Sequence, residues 1–365
     1  MIMSIKMSKE NICINKIIGQ KDEVFTVKND EIVPDIKPDV LNIISSSGTI
    51  CIYKKEIQDR RVKYEGSIYI YTMYIADDET ASIKSICSSL DFSKIVDIDN
   101  VKPGMQLKSI AEIKSIDAKM LNGRKINLQA NISIITSVYS SENIEVVQNI
   151  ENILDIQKLS NSYDINSLLG SGETKVYAKD TIQIDPTDDL SEILKINVDI
   201  INQENKTSYN KVLTKADFNI KLLYKTEDGR IESKTELIPI MGFVDIQNVG
   251  EDNKCEVNYM LKNIAIKPNN VNEHSVYVEA EIEISCFAFE YKNINIIEDL
   301  YSPTEMLKYT QDSIKIMQNM RNIKEICNIK KQELISDMGN NKIYDVDVKP
   351  NIINSQISEG RIIYE

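Results

Sequence analysis

Along residues 61–78, RVKYEGSIYIYTMYIADD, apolar and polar positions alternate with a period of two. Ile68, Ile70, Thr72 and Tyr74 fall on one side, and Tyr69, Tyr71 and Met73 on the other. The alternation returns at 126–134, INLQANISI, where Ile126, Leu128, Ala130, Ile132 and Ile134 are separated by Asn127, Gln129, Asn131 and Ser133. A period of two predicts a strand with one buried and one wet face. Asn-Gly in LNGRK (121–125) and Asp-Gly in TEDGR (226–230) predict hairpin turns. Several strands joined in this way predict a mainly β chain built from antiparallel sandwiches or barrels.

The pattern is written twice. Shifted by 150 residues, 61–78 lies over KVLTKADFNIKLLYKTED (211–228), so that Phe218, Ile220, Leu222 and Tyr224 repeat the inward set. INLQANISI lies over VYVEAEIEI (276–284), and KIVDIDNVKPGM (94–105) returns as GFVDIQNVGEDN (242–253). ILKINVDI (193–200) is followed at the same spacing by IYDVDVKP (343–350), and Arg61 and Lys211 by Arg361. A period this long describes tandem domains rather than a solenoid of short units. The expected division is an N-terminal segment (1–20), a first β-domain (21–160), a second (161–320), and a linker with the start of an incomplete third copy (321–365).

Helix is expected only in short pieces between the domains. IKPDVLNII (36–44) and PTDDLSEILKI (186–196) hold equivalent places before the first main strand of each copy. SPTEMLKYTQDSIKIMQNM (302–320) has Ser302 and Glu305 at capping-box spacing, with Pro303 at the first helical position. LLGSGETK (168–175) lacks the glycine and lysine spacing of a phosphate loop and reads as a flexible link between copies.

Charge and composition narrow the function classes. The 365 residues carry a net charge of -13, which leaves no basic footprint for nucleic acid. No stretch approaches a membrane-spanning apolar run, and the N-terminus has no apolar core of the secretory type. Cytosolic synthesis is the expectation. The six cysteines, Cys13, Cys51, Cys87, Cys255, Cys286 and Cys327, have no ligand spacing and read as reduced thiols.

Candidate chemistry is sparse. His274 is the only histidine and aligns with Arg124 in a hairpin loop, a poor position for the base of a triad. The acidic groups ADDE (76–79), TDD (187–189) and EDN (251–253) read as solvated turns, without calcium-loop spacing. The expectation is no catalytic residue, no metal and no cofactor. One face differs between copies: Tyr69, Tyr71 and Met73 stand where the second copy has Asn219, Lys221 and Leu223. Aromatic residues are enriched at interface cores, so these three are the candidate partner-binding residues.

The combination of YEGSIYIYTMYIADDE, VDIDNVKPGM, GETKVYAKDTIQI, KTEDGRIES with FVDIQNV, and EHSVYVEAEIEISC with DLYSP resembles the SPOCS-domain sporulation proteins of clostridia, in particular the SipL-like spore-coat morphogenetic proteins. The resemblance extends through both copies and into the third. It implies a non-enzymatic scaffold, made in the mother cell and acting at the forespore surface, where it binds the ATPase that polymerises into the basement layer of the coat. It also implies a C-terminal LysM domain, which the sequence to Glu365 does not contain. Other coat proteins, or a second copy of the chain, are further expected partners. The alternatives are a cell-wall or glycan-binding module, a self-assembling coat or appendage subunit, and a hydrolase using paired carboxylates.

Overall fold

The computed structural model describes residues 6–153, 155–185, 189–268, 274–313, 329–332, 343–346 and 352–365. Every regular element among them is a strand. The first copy is built from β1 (Lys6–Ile32), β2 (Val40–Gln58), β3 (Arg61–Ala76), β4 (Ile83–Asp97), β5 (Gln106–Asn122) and β6 (Lys125–Glu151). The second repeats it with β7 (Gln157–Gln183), β8 (Leu190–Ser208), β9 (Lys211–Thr226), β10 (Ile231–Asp245), β11 (Lys254–Pro268) and β12 (Ser275–Tyr301). A short hairpin, β13 (Ser355–Ser358) and β14 (Arg361–Tyr364), follows.

Each copy is a sandwich of two three-stranded antiparallel sheets. In the first, β2-β3-β4 faces β1-β6-β5; in the second, β8-β9-β10 faces β7-β12-β11. The alternation read from the sequence sets the inner faces. Ile68, Ile70, Thr72 and Tyr74 on β3 are buried, as are Ile126, Leu128, Ala130, Ile132 and Ile134 on the facing β6. Phe218, Ile220, Leu222 and Tyr224 repeat this on β9. Each fully buried large apolar side chain contributes about 1.5–3 kcal/mol relative to exposure, which makes these two central strands the main source of each core.

The cores are not identical. In the first, Tyr64 places its hydroxyl 2.7 Å from Ser109 Oγ and 3.0 Å from Thr136 Oγ1, so a buried polar group is fully satisfied. The equivalent positions in the second copy are Thr214, Val257 and Cys286, a smaller and more apolar set.

The repeated VDI-x-NV phrase has a structural reason. It follows β4 and β10 and closes over the tip of the β2–β3 or β8–β9 hairpin. Arg60 N donates to Val101 O at 2.8 Å and Ile98 N to Arg60 O at 3.0 Å; Asn210 N donates to Val249 O at 2.8 Å and Ile246 N to Asn210 O at 3.1 Å. The isoleucine and valine of each phrase are buried. Gly19 on β1 and Gly170 on β7 lie against the same isoleucines. A Cβ at Gly19 would stand 2.3 Å from Ile98 Cγ2, and one at Gly170 3.0 Å from Ile246 Cγ2. Both glycines sit at register shifts where the long strand bends. The phrase is a clamp that fixes a hairpin to a crossing strand.

Past those bends, β1 with β6 and β7 with β12 continue as two-stranded ribbons beyond the sandwiches. An isolated two-stranded ribbon is marginal in water. Here the two ribbons stack and form a third small core from Ile12, Ile14, Val146, Ile165 and Ile294. Cys13 N donates to Ser167 Oγ at 3.1 Å, and Ser167 Oγ donates back to Cys13 O at 3.2 Å.

The mainly β, tandem architecture agrees with the sequence, while the expected short helices do not form among the described residues. Residues 36–39 are turn and coil before β2 begins at Val40, and 190–196 opens β8. The β-branched alternation of both stretches is satisfied by pairing with β3 and β9. Ser302 Oγ accepts from Glu305 N at 3.1 Å, so the cap forms, yet no helix follows through 313; 314–320 lie outside the described residues. LLGSGETK is not a link but the middle of β7, its glycines serving the close crossing. Residues 6–20 are the first half of β1.

Candidate interaction surfaces

A built polar arrangement lies where the two domains meet. The outer faces of β2 and β3 in the first domain receive β11 and the opening of β8 from the second. Met260 on β11 enters the first core, and Tyr71 on β3 packs against the second. The two hydrophobic cores therefore each borrow a side chain from the other domain.

Around this apolar exchange stands a buried ionic network. Lys55 on β2 donates to Glu283 on β12 at 2.6 Å and to Glu173 on β7 at 2.8 Å, and Lys262 on β11 donates to Glu283 at 3.0 Å. Burial alone would lift the Glu283 carboxyl, but hydrogen bonds from Lys55 and Lys262 overcome it and hold its pKa below the ordinary value. Burial likewise opposes the Lys55 ammonium, and its hydrogen bonds to Glu173 and Glu283 win, leaving its pKa raised. Two cations and two anions balance, which is what makes their burial tolerable.

A second cluster ties the entry of β8 to the first domain. Glu192 accepts from Lys37 and from the Ser85 amide at 3.1 Å, with Lys84 at 3.7 Å. Lys108 on β5 pairs with Glu256 on β11 at 3.0 Å. Between these contacts an open cleft of about 500 Å³ is lined by Gly48, Ile50, Ala111, Asp199 and Tyr259, among others.

The residues singled out in the sequence fall on this junction. Tyr69, Tyr71 and Met73 are all half-buried. The Tyr69 hydroxyl donates to Asn263 Oδ1 of the second domain at 3.4 Å, and burial raises the pKa of Tyr71. The face expected to meet a partner protein meets the neighbouring copy. The sequence marked it as a copy-specific surface; Lys55, Glu283, Lys262 and Met260, its partners in the junction, carried no signal because nothing local distinguishes them from ordinary strand positions.

His274 takes the place of Arg124. Arg124 binds the carbonyls of Val33 and Lys37 and pairs with Asp39 at 3.1 Å, and His274 Nδ1 lies 3.6 Å from the equivalent Asp189. Both side chains tie a hairpin to the strand entry beside it. Asp78, in the acidic ADDE turn, accepts from Ser82 and Thr80, which depresses its pKa strongly. It is a turn cap. Among the described residues no group of three or more His, Cys, Asp or Glu side chains is placed to hold a metal ion.

Two tandem antiparallel sandwiches sharing a buried charged junction define a β-domain scaffold. The family model of the SipL SPOCS domain matches residues 39–121 and 189–269. Both copies thus match the SPOCS domain of SipL-like proteins, a domain family that suggests a role in sporulation. No curated protein and no solved structure is significantly similar to it. The matched stretches correspond to β2–β5 and β8–β11. The strands that complete each second sheet, β1 with β6 and β7 with β12, flank the matched segments.

Proposed function

We propose that the chain is a non-enzymatic structural protein of spore-coat assembly, which docks coat morphogenetic proteins at the forespore surface from the mother-cell side. The observation that carries this reading is the presence of the SPOCS domain in both copies. The partner would be the ATPase of the coat basement layer, another coat protein, or a second copy of the chain. Tandem copies raise the effective concentration of such a scaffold at a polymer surface.

A surface suited to this role lies on the outer face of β10. Leu237, Met241 and Phe243 are 46%, 58% and 53% exposed, with Pro239 exposed among them. The first copy has Ser89, Asp91, Ser93 and Ile95 at these positions. A contiguous exposed apolar strip present in one copy only supports protein docking there.

The test is a fluorescent fusion in sporulating cells. The expected result is signal around the forespore that Leu237→Asp with Phe243→Asp disperses at unchanged protein level. Diffuse mother-cell fluorescence of the parent fusion at every stage would contradict the assignment.

A glycan-binding reading has one observation in its favour. Tyr177 and Tyr277 are exposed on the outer face of β7 and β12, with Lys179 5.3 Å over the Tyr177 ring and Glu279 beside both. Retention on purified peptidoglycan that Tyr177→Ala abolishes would favour it over the coat reading.

A further inference from the structure

The outer face of the β8–β9 pair carries two lysines, Lys195 and Lys221, whose equivalents in the first copy are the neutral Ser45 and Tyr71. Lys195 is only 6% exposed. Asp345 bridges them: its Oδ2 accepts from Lys195 at 2.7 Å and its Oδ1 from Lys221. Burial alone would lift the Asp345 carboxyl, and the two lysine hydrogen bonds hold its pKa down instead. An ammonium group buried as far as that of Lys195 requires a carboxylate partner, and Asp345 supplies one from outside the sandwich.

Where Asp345 comes from matters. Residues 343–346 align at the 150-residue period with 193–196, in the opening of β8. That opening packs on β2, β3 and β4 of the first domain, through Glu192 and its partners Lys37, Lys84 and Ser85. Residues 343–346 thus touch β8 and β9 from the place in the repeat that corresponds to the β8 opening, which the second copy lays on β2 and β3. The next elements of the third copy also form: β13 and β14 align with the end of β8 and the start of β9, and pair as that hairpin does. Glu359 and Gly360 hold positive φ in the turn where Arg60 and Asn210 do so in the first two.

We infer that the outer face of β8 and β9 is the acceptor site for the opening segment of a third copy of the domain, residues 343–346, with Asp345 as its charge key. Each copy then docks on the one before it in the same manner, and the copies form a head-to-tail array rather than beads on a flexible string. At the positions of Lys195 and Lys221 the first copy presents the neutral Ser45 and Tyr71, which cannot pair with a carboxylate as the two lysines pair with Asp345, so the two acceptor faces are not interchangeable. This inference rests on the repeat and is independent of the coat assignment.

Zero-length carbodiimide cross-linking of the full chain tests it, with unlabelled and heavy-nitrogen-labelled protein mixed in equal amounts. The expected product joins Asp345 to Lys195 or Lys221 with both peptides of one isotope. Asp345→Asn removes it and raises hydrogen exchange at 343–346 by about tenfold while leaving β1–β6 unchanged. Asp345→Lys with Lys221→Asp restores a cross-link between the same two positions. The exposed Lys9–Glu145 pair, 2.9 Å apart, must cross-link in the same digest. Products of mixed isotope would overturn the inference in favour of a second chain as occupant. Absence of the Asp345 product beside a positive Lys9–Glu145 control would overturn it outright.

Discussion

Lys55 of the first SPOCS domain and Glu283 of the second stand 2.6 Å apart, with side chains 11% and 9% exposed. Neither charge is repeated in the other copy, where Asn205 stands at the position of Lys55 and Ser133 at that of Glu283. Lys55 brings the cation from the edge strand β2, while Glu283 lies on the central strand β12, already paired with Lys262. Cutting the chain between the domains would leave charges of both signs exposed on formerly buried faces.

Glu283→Gln leaves the buried Lys262 facing a neutral amide and Lys55 with Glu173 alone, and is expected to destabilise the chain by about 3 kcal/mol. Lys55→Met combined with Glu283→Gln is expected to cost less than the sum of the single changes, with a coupling of about 1–3 kcal/mol. Urea unfolding of the four proteins in the cycle measures it. Strict additivity would show that the pair is not coupled.

The pH profile follows from the same two groups. The folded pKa of Glu283 lies below its ordinary 4.5, so its contribution is complete above that value and drains away as pH falls through the folded pKa. That of Lys55 lies above 10.5, so its contribution is complete below that value and is lost as pH climbs through the folded pKa. Stability is expected to be flat across the neutral range and to fall at both ends. Glu283→Gln should flatten the acid limb, which unfolding midpoints taken between about pH 3 and pH 7 would reveal.

The clamp makes a graded prediction. Gly19→Ala places a methyl group 2.3 Å from Ile98, and Gly170→Ala places one 3.0 Å from Ile246. The first is expected to cost about 2 kcal/mol and the second about half that. Ile98→Ala, which removes the clashing Cγ2, should cost less in the Gly19→Ala background than in the parent, with no such relief in the Gly170→Ala background. Equal costs at both sites would mean that the strand crossing is not what those glycines serve.

Arg60 holds φ at 61° in the hairpin turn where the second copy has Asn210, whose side-chain oxygen accepts from the Asn248 amide at 2.7 Å. Arg60→Asn transplants that cap onto Asn100 and relieves a left-handed conformation that arginine adopts poorly. The Arg60–Asp99 pair that it removes is exposed on both sides and contributes little. Stability is expected to rise by about 0.5–1 kcal/mol, measured as a shift in thermal midpoint. A fall would contradict the equivalence of the two turns.

The sequence carried the strands and the repeat, because a period of two and a period of 150 are both written in residue type. It misled at 168–175, where glycines required for a close crossing look like those of a flexible link. It misled again at Ser302, where a cap is a local signal and helix formation is not. The division of labour on β3 was half legible: Tyr69, Tyr71 and Met73 against Asn219, Lys221 and Leu223 announced that the two outer faces meet different things. What they meet depends on contacts far apart in the chain. Met260 in the first core and Glu283 beside Lys55 are unremarkable until the fold brings them there.

Cys51 offers the most direct test that the two copies are docked as one body. It is 1% exposed, its thiol is pushed up to about 12 by burial, and it lines a junction cleft of about 370 Å³ with Lys262 and Asn263. Ile201, its equivalent in the second copy, is 36% exposed. In native protein, alkylation of Cys51 followed by mass spectrometry should be slower by orders of magnitude than in the unfolded chain, and Glu283→Gln should accelerate it about a hundredfold by letting the domains part. Rapid labelling in the native protein, or a rate indifferent to Glu283→Gln, would contradict the docking.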